Sequence, residues 1–197
     1  VCSSDLRQLK NAALDFYLDR DIDFIEQDVR AGEYHTNMVK ITTSNTCNST
    51  CVTCNSQSSS AWAPLELRLG RQPQAPSALT RDTMDAKLDY RRLRTLNFIG
   101  GEPLLERLNF HALEQLLAHD NRDCFIQFTT NGSMRLTDSQ ISVLREFTNL
   151  HIGVSIDGVG PVFEYLRYPL EWSVCVENLD LFRSITDNVS ANYTISN

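Results

Sequence analysis

The sequence predicts an α/β fold, a parallel sheet built from strand–helix units repeated along the chain. Three observations carry this. Short β-branched or apolar runs alternate with segments of helical period, each long enough to cross back over a sheet. The 197 residues are 42% hydrophobic and 22% charged, the balance of an ordinary globular domain. No internal repeat or low-complexity linker breaks the order, so the length suits one domain with a small appendage.

The elements follow in order. Residues 5–18 place Leu6, Leu9, Ala13, Phe16 and Tyr17 at spacings of three and four, an amphipathic helix. A second, acidic helical stretch over roughly 21–30 stops at Ala31-Gly32, where glycine serves as a C-cap. Residues 1–37 therefore read as a helical N-terminal extension, and 38–197 as the core domain. Met38 to Thr43 alternates and is β-branched, the first strand. Residues 55–94 are polar, contain Pro64, Pro73 and Pro76, and have helical character at both ends, with Arg91-Arg92-Leu93-Arg94 as a solvated helix end.

Thr95 to Ile99 is the second strand, followed by a helix face of Phe110, Leu113, Leu116 and Leu117. Cys124 to Thr129 is the third strand. Thr137 and Gln140 then fit a capping box that opens a helix burying Ile141, Leu144 and Phe147. His151 to Ile156 is the fourth strand, and Trp172, Cys175 or Val176, Leu179 and Phe182 line another helix. Ser190 to Ile195 reads as a fifth strand. The first residue is Val rather than Met, and no helix follows this last strand to cover a sheet edge, so the protein is expected to continue past Asn197.

Composition narrows the function. Eighteen Lys and Arg against 25 Asp and Glu give a net charge of −7, which argues against a nucleic-acid backbone as partner. No run approaches the roughly 18–20 apolar residues of a membrane span. The N-terminus lacks a basic region followed by an apolar run, so no secretory signal is read and a cytoplasmic setting is expected. The sequons at Asn48, Asn188 and Asn192 carry no meaning in that setting.

Three of the six cysteines, Cys47, Cys51 and Cys54, fall within eight residues directly after the first strand. Composition alone would give about 0.005 such triplets in a chain like this one. Clustered thiols without an export signal point to a metal or cluster site in a reducing compartment. Soft thiolates suit zinc or an iron–sulfur cluster. A structural zinc would want a fourth ligand, and neither Cys2 nor His35, His111, His119 or His151 lies in a local pair. A [4Fe–4S] cluster on three cysteines instead leaves one iron without a protein ligand. Cys124 and Cys175 sit in apolar contexts and read as buried packing residues, and Trp62 and Trp172 as core.

The segment Cys47-Asn48-Ser49-Thr50-Cys51-Val52-Thr53-Cys54 resembles the CxxxCxxC signature of radical S-adenosylmethionine (SAM) enzymes. Three further segments match that family in order. Gly100-Gly101-Glu102-Pro103 is similar to its GGEP, Thr130-Asn131-Gly132 to its TNG, and Ser155-Ile156-Asp157-Gly158 to its SxDG. Glu164 to Arg167 resembles the E-x-x-R stretch that follows.

The resemblance covers about residues 38–197 and implies a partial parallel (β/α)6 TIM-like barrel, here incomplete at its C-terminus because the sixth strand is missing. It implies that Cys47, Cys51 and Cys54 hold a [4Fe–4S] cluster whose open iron chelates SAM. One electron then splits the sulfur–C5′ bond, and the 5′-deoxyadenosyl radical abstracts hydrogen from a substrate. It further implies cofactor contacts at Gly100, Gly101, Glu102 and Pro103 with the SAM amino group, at Asn131, at Ser155 and Asp157 near the ribose and carboxylate, and at Arg167 with the carboxylate. Thr53 stands where the family usually places an aromatic beside the adenine, which leaves backbone contacts there.

The barrel implied by the resemblance would gather these segments at the C-terminal ends of its strands, the reactive face of such sheets. Gly100 and Gly101 would let backbone approach a ligand, and Glu102 would offer a carboxylate to an ammonium group. The SIDG and E-x-x-R pattern is closest to the branch with SPASM or twitch extensions, many of whose members modify peptides or proteins. A flavodoxin or ferredoxin is the implied reductant. The alternatives are a zinc or iron–sulfur binding module without catalysis, and a degenerate homologue that recognises peptides.

Overall fold

The computed structural model describes Gln27 and residues 29–32, 35–74 and 78–194. The helix expected over 5–18 and Cys2 lie outside the described residues. Of the stretch over 21–30, Gln27 and residues 29–31 are helical. Gly32 ends it at φ 70°, its N–H donating to the Val29 carbonyl at 3.2 Å. The chain divides into two units, residues 1–37 and 38–197, and the second holds the sheet.

Five strands form that sheet, β1 (Met38–Thr42), β2 (Thr95–Ile99), β3 (Phe125–Thr130), β4 (Leu150–Ser155) and β5 (Val189–Asn192). All are parallel, and their spatial order is the order of the chain. Each crossover therefore moves one strand further in the same direction. With the usual right-handed connection, every crossover lands on one face, as in a TIM-like barrel. The sheet is open among the described residues, which makes the barrel a partial one.

The connections are short helices. A 3-10 turn (Ser60–Trp62) runs into α1 (Ala63–Arg68), followed by α2 (Arg81–Asp85), α3 (Arg107–Ala118), α4 (Asp138–Arg145), α5 (Pro161–Leu166) and α6 (Trp172–Ile185). The Thr137–Gln140 capping box that opens α4 is formed in both directions. On the helix side of the sheet, Leu96, Phe98, Ile126, Phe128, Ile152 and Val154 are fully buried. They pack against Phe110, Leu113 and Leu116 of α3, Leu144 of α4 and Phe182 of α6. Each such side chain contributes about 1.5–3 kcal/mol on burial. The other face is polar. Register aligns Lys40, Asn97, Gln127 and His151 across β1–β4, and Asn97 Nδ2 donates to Gln127 Oε1 at 2.8 Å.

Several expectations need correction. Arg91 to Arg94 form a turn before β2 rather than a helix end, and Leu93 within it is completely buried. Phe147 is buried but lies beyond the end of α4, while Ile141 is half-buried. On α6, Cys175 is the inward residue and Val176 is exposed. The strands β3 and β4 are displaced by one residue from their expected limits, and β5 ends at Asn192. Helix α5 was not expected. Cys124 and Cys175 are buried as read. Among the described residues no helix is long and apolar enough to cross a membrane.

Candidate functional site

The loop after β1 carries the three cysteines, and hydrogen bonds hold it from both sides. On one side, Ser60 N–H donates to the Asn45 carbonyl (2.8 Å), Ser59 Oγ to the Ser49 carbonyl (2.6 Å) and Trp62 Nε1 to the Cys51 carbonyl (3.1 Å). Trp62 is thus a half-buried brace for this loop rather than a core residue. On the other side, Thr50 N–H donates to the Tyr168 carbonyl (2.6 Å) and Val52 N–H to the Leu166 carbonyl (2.9 Å).

All three cysteines are free thiols; Cys51 is buried, Cys47 and Cys54 partly so. Burial raises the pKa of Cys54, and the neighbouring Cys51 and Cys47 add to this against the Asn55 N–H and the Arg167 charge. A cation arriving there would have to displace that proton, as thiolate ligation requires. Among the described residues, no three His, Cys, Asp or Glu side chains are close enough to hold one metal ion. A polynuclear cluster takes one thiolate per iron and spaces its ligands apart through bridging sulfides, an arrangement that three separate thiols can meet.

The loop after β2 is zipped to the lead-in of the cysteine loop. Glu102 N–H donates to the Thr46 carbonyl at 2.7 Å and Gly101 N–H to that of Ser44 at 3.4 Å. A Cβ on Gly101 would lie 2.1 Å from the Thr46 carbonyl oxygen; one on Gly100, at φ 125°, would lie 2.8 Å from that of Ser44. The two glycines thus make room for the protein's own backbone, where the sequence suggested a ligand.

Glu102 is fully buried. Its carboxylate accepts Leu104 N–H (3.0 Å), Thr130 Oγ1–H (2.8 Å) and Asn131 N–H (2.6 Å). Burial raises its pKa, and these three donors with the Arg167 charge reduce that rise without cancelling it. Asn131 Nδ2 donates to Asn48 Oδ1 at 2.9 Å and lies 3.9 Å from Cys47 Sγ. Gly132 follows at φ 76°, with its carbonyl accepting Asn178 Nδ2 at 2.7 Å.

After β4, Asp157 Oδ2 pairs with Arg167 Nη2 at 2.6 Å, their side chains only 7% and 13% exposed. Arg167 Nη1 lies 4.0 Å from Cys51 Sγ, and its Nε is buried without a hydrogen-bond partner. Asp157 Oδ1 also accepts the Thr194 N–H at 3.2 Å.

Nine of the twelve residues expected at the site line one cavity of about 180 Å³. Cys47, Cys51, Thr53 and Cys54 come from the cysteine loop, Gly100 and Gly101 from the loop after β2, and Asn131, Ser155 and Arg167 from the remaining segments. Glu102, Pro103 and Asp157 do not line it; all three are buried behind it. Ser49, Ser58 and Thr129 line it without having been named as contacts in the sequence, and so does Thr130, which the sequence placed in the TNG segment without giving it a contact. A wider opening of about 580 Å³ adjoins it, sharing Ser58, Gly100 and Gly101. A separate groove of about 590 Å³ that includes Asp85, Tyr90 and His119 holds none of the twelve.

The Radical SAM superfamily model matches residues 41–195. No curated protein matches the sequence. Among solved structures, the chain is similar to histidine-tagged anSMEcpe with bound AdoMet, at 20% identity and TM-score 0.55, covering 78% of this chain and 43% of that one. Native anSMEcpe with bound AdoMet and Kp18Cys peptide gives 21% identity and TM-score 0.53, over 78% and 42%. Streptococcus suis SuiB bound to S-adenosylmethionine gives 14% identity and TM-score 0.52, over 95% and 40%. These likenesses are likenesses of fold, and the chain spans less than half the length of each of these proteins.

Proposed function

The chain belongs to the radical SAM superfamily, an enzyme family whose cofactors are a [4Fe–4S] cluster and S-adenosylmethionine, and from that premise we propose that it carries the SAM-cleaving core of a radical enzyme. Cys47, Cys51 and Cys54 would hold the cluster, with SAM in the cavity they line. Bound there, the group would supply the one-electron reduction that splits the sulfur–C5′ bond of SAM and so starts hydrogen abstraction from a substrate.

The chain's own residues bind and orient. The reading rests chiefly on one observation: three thiols share a cavity with Asn131, Ser155 and Arg167. The guanidinium of Arg167 is held by Asp157 yet keeps its buried Nε–H without an acceptor, a donor suited to a carboxylate. Asn131 and Ser155 add neutral polar groups, and Thr53 leaves the adenine to backbone contacts. Glu102 acts from behind the cavity, fastening the loop after β3 to the loop after β2.

Residues 1–37 form an extension and 38–197 the core. The substrate is a peptide or protein, a reading supported by the peptide-bound state of the anSMEcpe structure and by the SIDG and E-x-x-R segments. A flavodoxin or ferredoxin supplies the electron, the setting is cytoplasmic, and the SIDG and E-x-x-R segments support the branch with SPASM or twitch extensions.

Anaerobic reconstitution with iron and sulfide tests this directly. The chain should turn brown and release 5′-deoxyadenosine from SAM in the presence of reductant. Cys51→Ala should lose both cluster absorption and cleavage. Stoichiometric colourless zinc in place of iron would overturn the reading in favour of a zinc module.

A further inference from the structure

Ser49 lies between two of the three thiols. It is 1% exposed, and its hydroxyl oxygen is 3.3 Å from Cys47 Sγ and 3.4 Å from Cys51 Sγ. Among the described residues this hydroxyl has no other partner. Its backbone is positioned independently of the sulfurs, because Ser59 Oγ donates to its carbonyl at 2.6 Å and the next residue, Thr50, donates to Tyr168.

With the cysteines as thiols, either atom of each pair can donate. As thiolates the sulfurs only accept, so the single hydroxyl proton becomes the donor. The other side-chain donors near these sulfurs are less well placed. Asn131 Nδ2 is 3.9 Å from Cys47 Sγ and has Asn48 Oδ1 at 2.9 Å. Arg167 Nη1 is 4.0 Å from Cys51 Sγ, with the guanidinium already committed to Asp157 at 2.6 Å.

We propose that Ser49 is a positioning residue whose single hydroxyl proton, shared between the Cys47 and Cys51 thiolates, raises the reduction potential of the cluster. The inference rests on the cluster assignment above. Reduction adds one electron from an external reductant and breaks no covalent bond. The added negative charge spreads onto the thiolates, where a hydrogen-bond donor stabilises the reduced state more than the oxidised one. Ser49 thus shifts the couple toward easier reduction.

The test is a redox titration of the reconstituted chain with dithionite and mediators, followed by the paramagnetic signal of the reduced cluster and carried out without SAM. Ser49→Ala should give a more negative midpoint at the same iron and sulfide content as the parent. An unchanged midpoint at equal loading would overturn the inference. Should the variant fail to load, Ser49→Thr, which keeps the hydroxyl, and its isostere Ser49→Val take its place. A midpoint that stays parental in the threonine variant and falls in the valine variant supports the hydroxyl donor, and equal midpoints in the two overturn it. A parent chain that takes up no iron and sulfide would overturn both this inference and the functional reading, a result distinct from the others.

Discussion

Glu102 Oε2 accepts the backbone N–H of Asn131 at 2.6 Å, so the loops after β2 and β3 meet at one buried carboxylate. Its other oxygen takes Thr130 and Leu104. Glu102→Ala strands three donors, each costing about 1–3 kcal/mol when left unpaired, so the variant should lose roughly 3 kcal/mol or more. Urea denaturation of the unloaded chain measures this; an unchanged midpoint would contradict the anchoring role.

Gly101 should tolerate no side chain. A Cβ there meets the Thr46 carbonyl oxygen at 2.1 Å, and the Glu102 N–H bond to that same oxygen holds the two backbone segments together. Gly101→Ala should displace the approach to Cys47 and cost about 1–3 kcal/mol. Bound iron per chain should fall with it, and full iron content at parental stability would show that the two loops can part freely.

The pair Asp157–Arg167 is nearly closed to solvent. Removing only the acid leaves a buried cation, at a cost of roughly 3–5 kcal/mol for Asp157→Ala. Replacing both residues by apolar ones should restore much of that loss. Denaturation midpoints of the single and double variants compare the two, and equal destabilisation in both would mean that the charge is not the cause.

On β4, burial holds His151 below its ordinary pKa of 6.5. The unfolded chain then binds more protons than the folded one between the two values, so stability rises with pH there. This contribution is complete above about 6.5 and is lost as pH falls through the folded value. The ring bonds Ser190 Oγ at 2.8 Å through Nε2 and stacks near Phe125, contacts a neutral imidazole can keep. His151→Gln should flatten the difference in urea midpoint between pH 7.5 and 5.5. Parallel curves for parent and variant would exclude His151 as the source.

Much of this architecture was legible because it is local. The β2 alternation of Leu96 and Phe98 with Thr95 and Asn97 marks both the strand and its inward face. Four motifs at successive strand ends named eight residues of one cavity, and the E-x-x-R segment named a ninth, Arg167. Contacts across long separations were not legible. That Glu102 is spent on Thr130 and Asn131 depends on residues 28 and 29 positions away. Ser49 and Ser58 carry no periodic signal, and Asn178 reads as an ordinary polar helix residue although it is buried against Gly132. Helix α5 is only six residues long and starts at Gly160-Pro161, too short for a hydrophobic period.

The clasp that Ser59, Ser60 and Trp62 form on one flank of the cysteine loop, with Leu166 and Tyr168 on the other, has a bearing on how metal arrives. A hairpin of thiols that is already rigid surrenders little chain entropy when iron is delivered. The loop is therefore shaped by hydrogen bonds of the polypeptide itself, unlike small metal modules that coil up only around their ion.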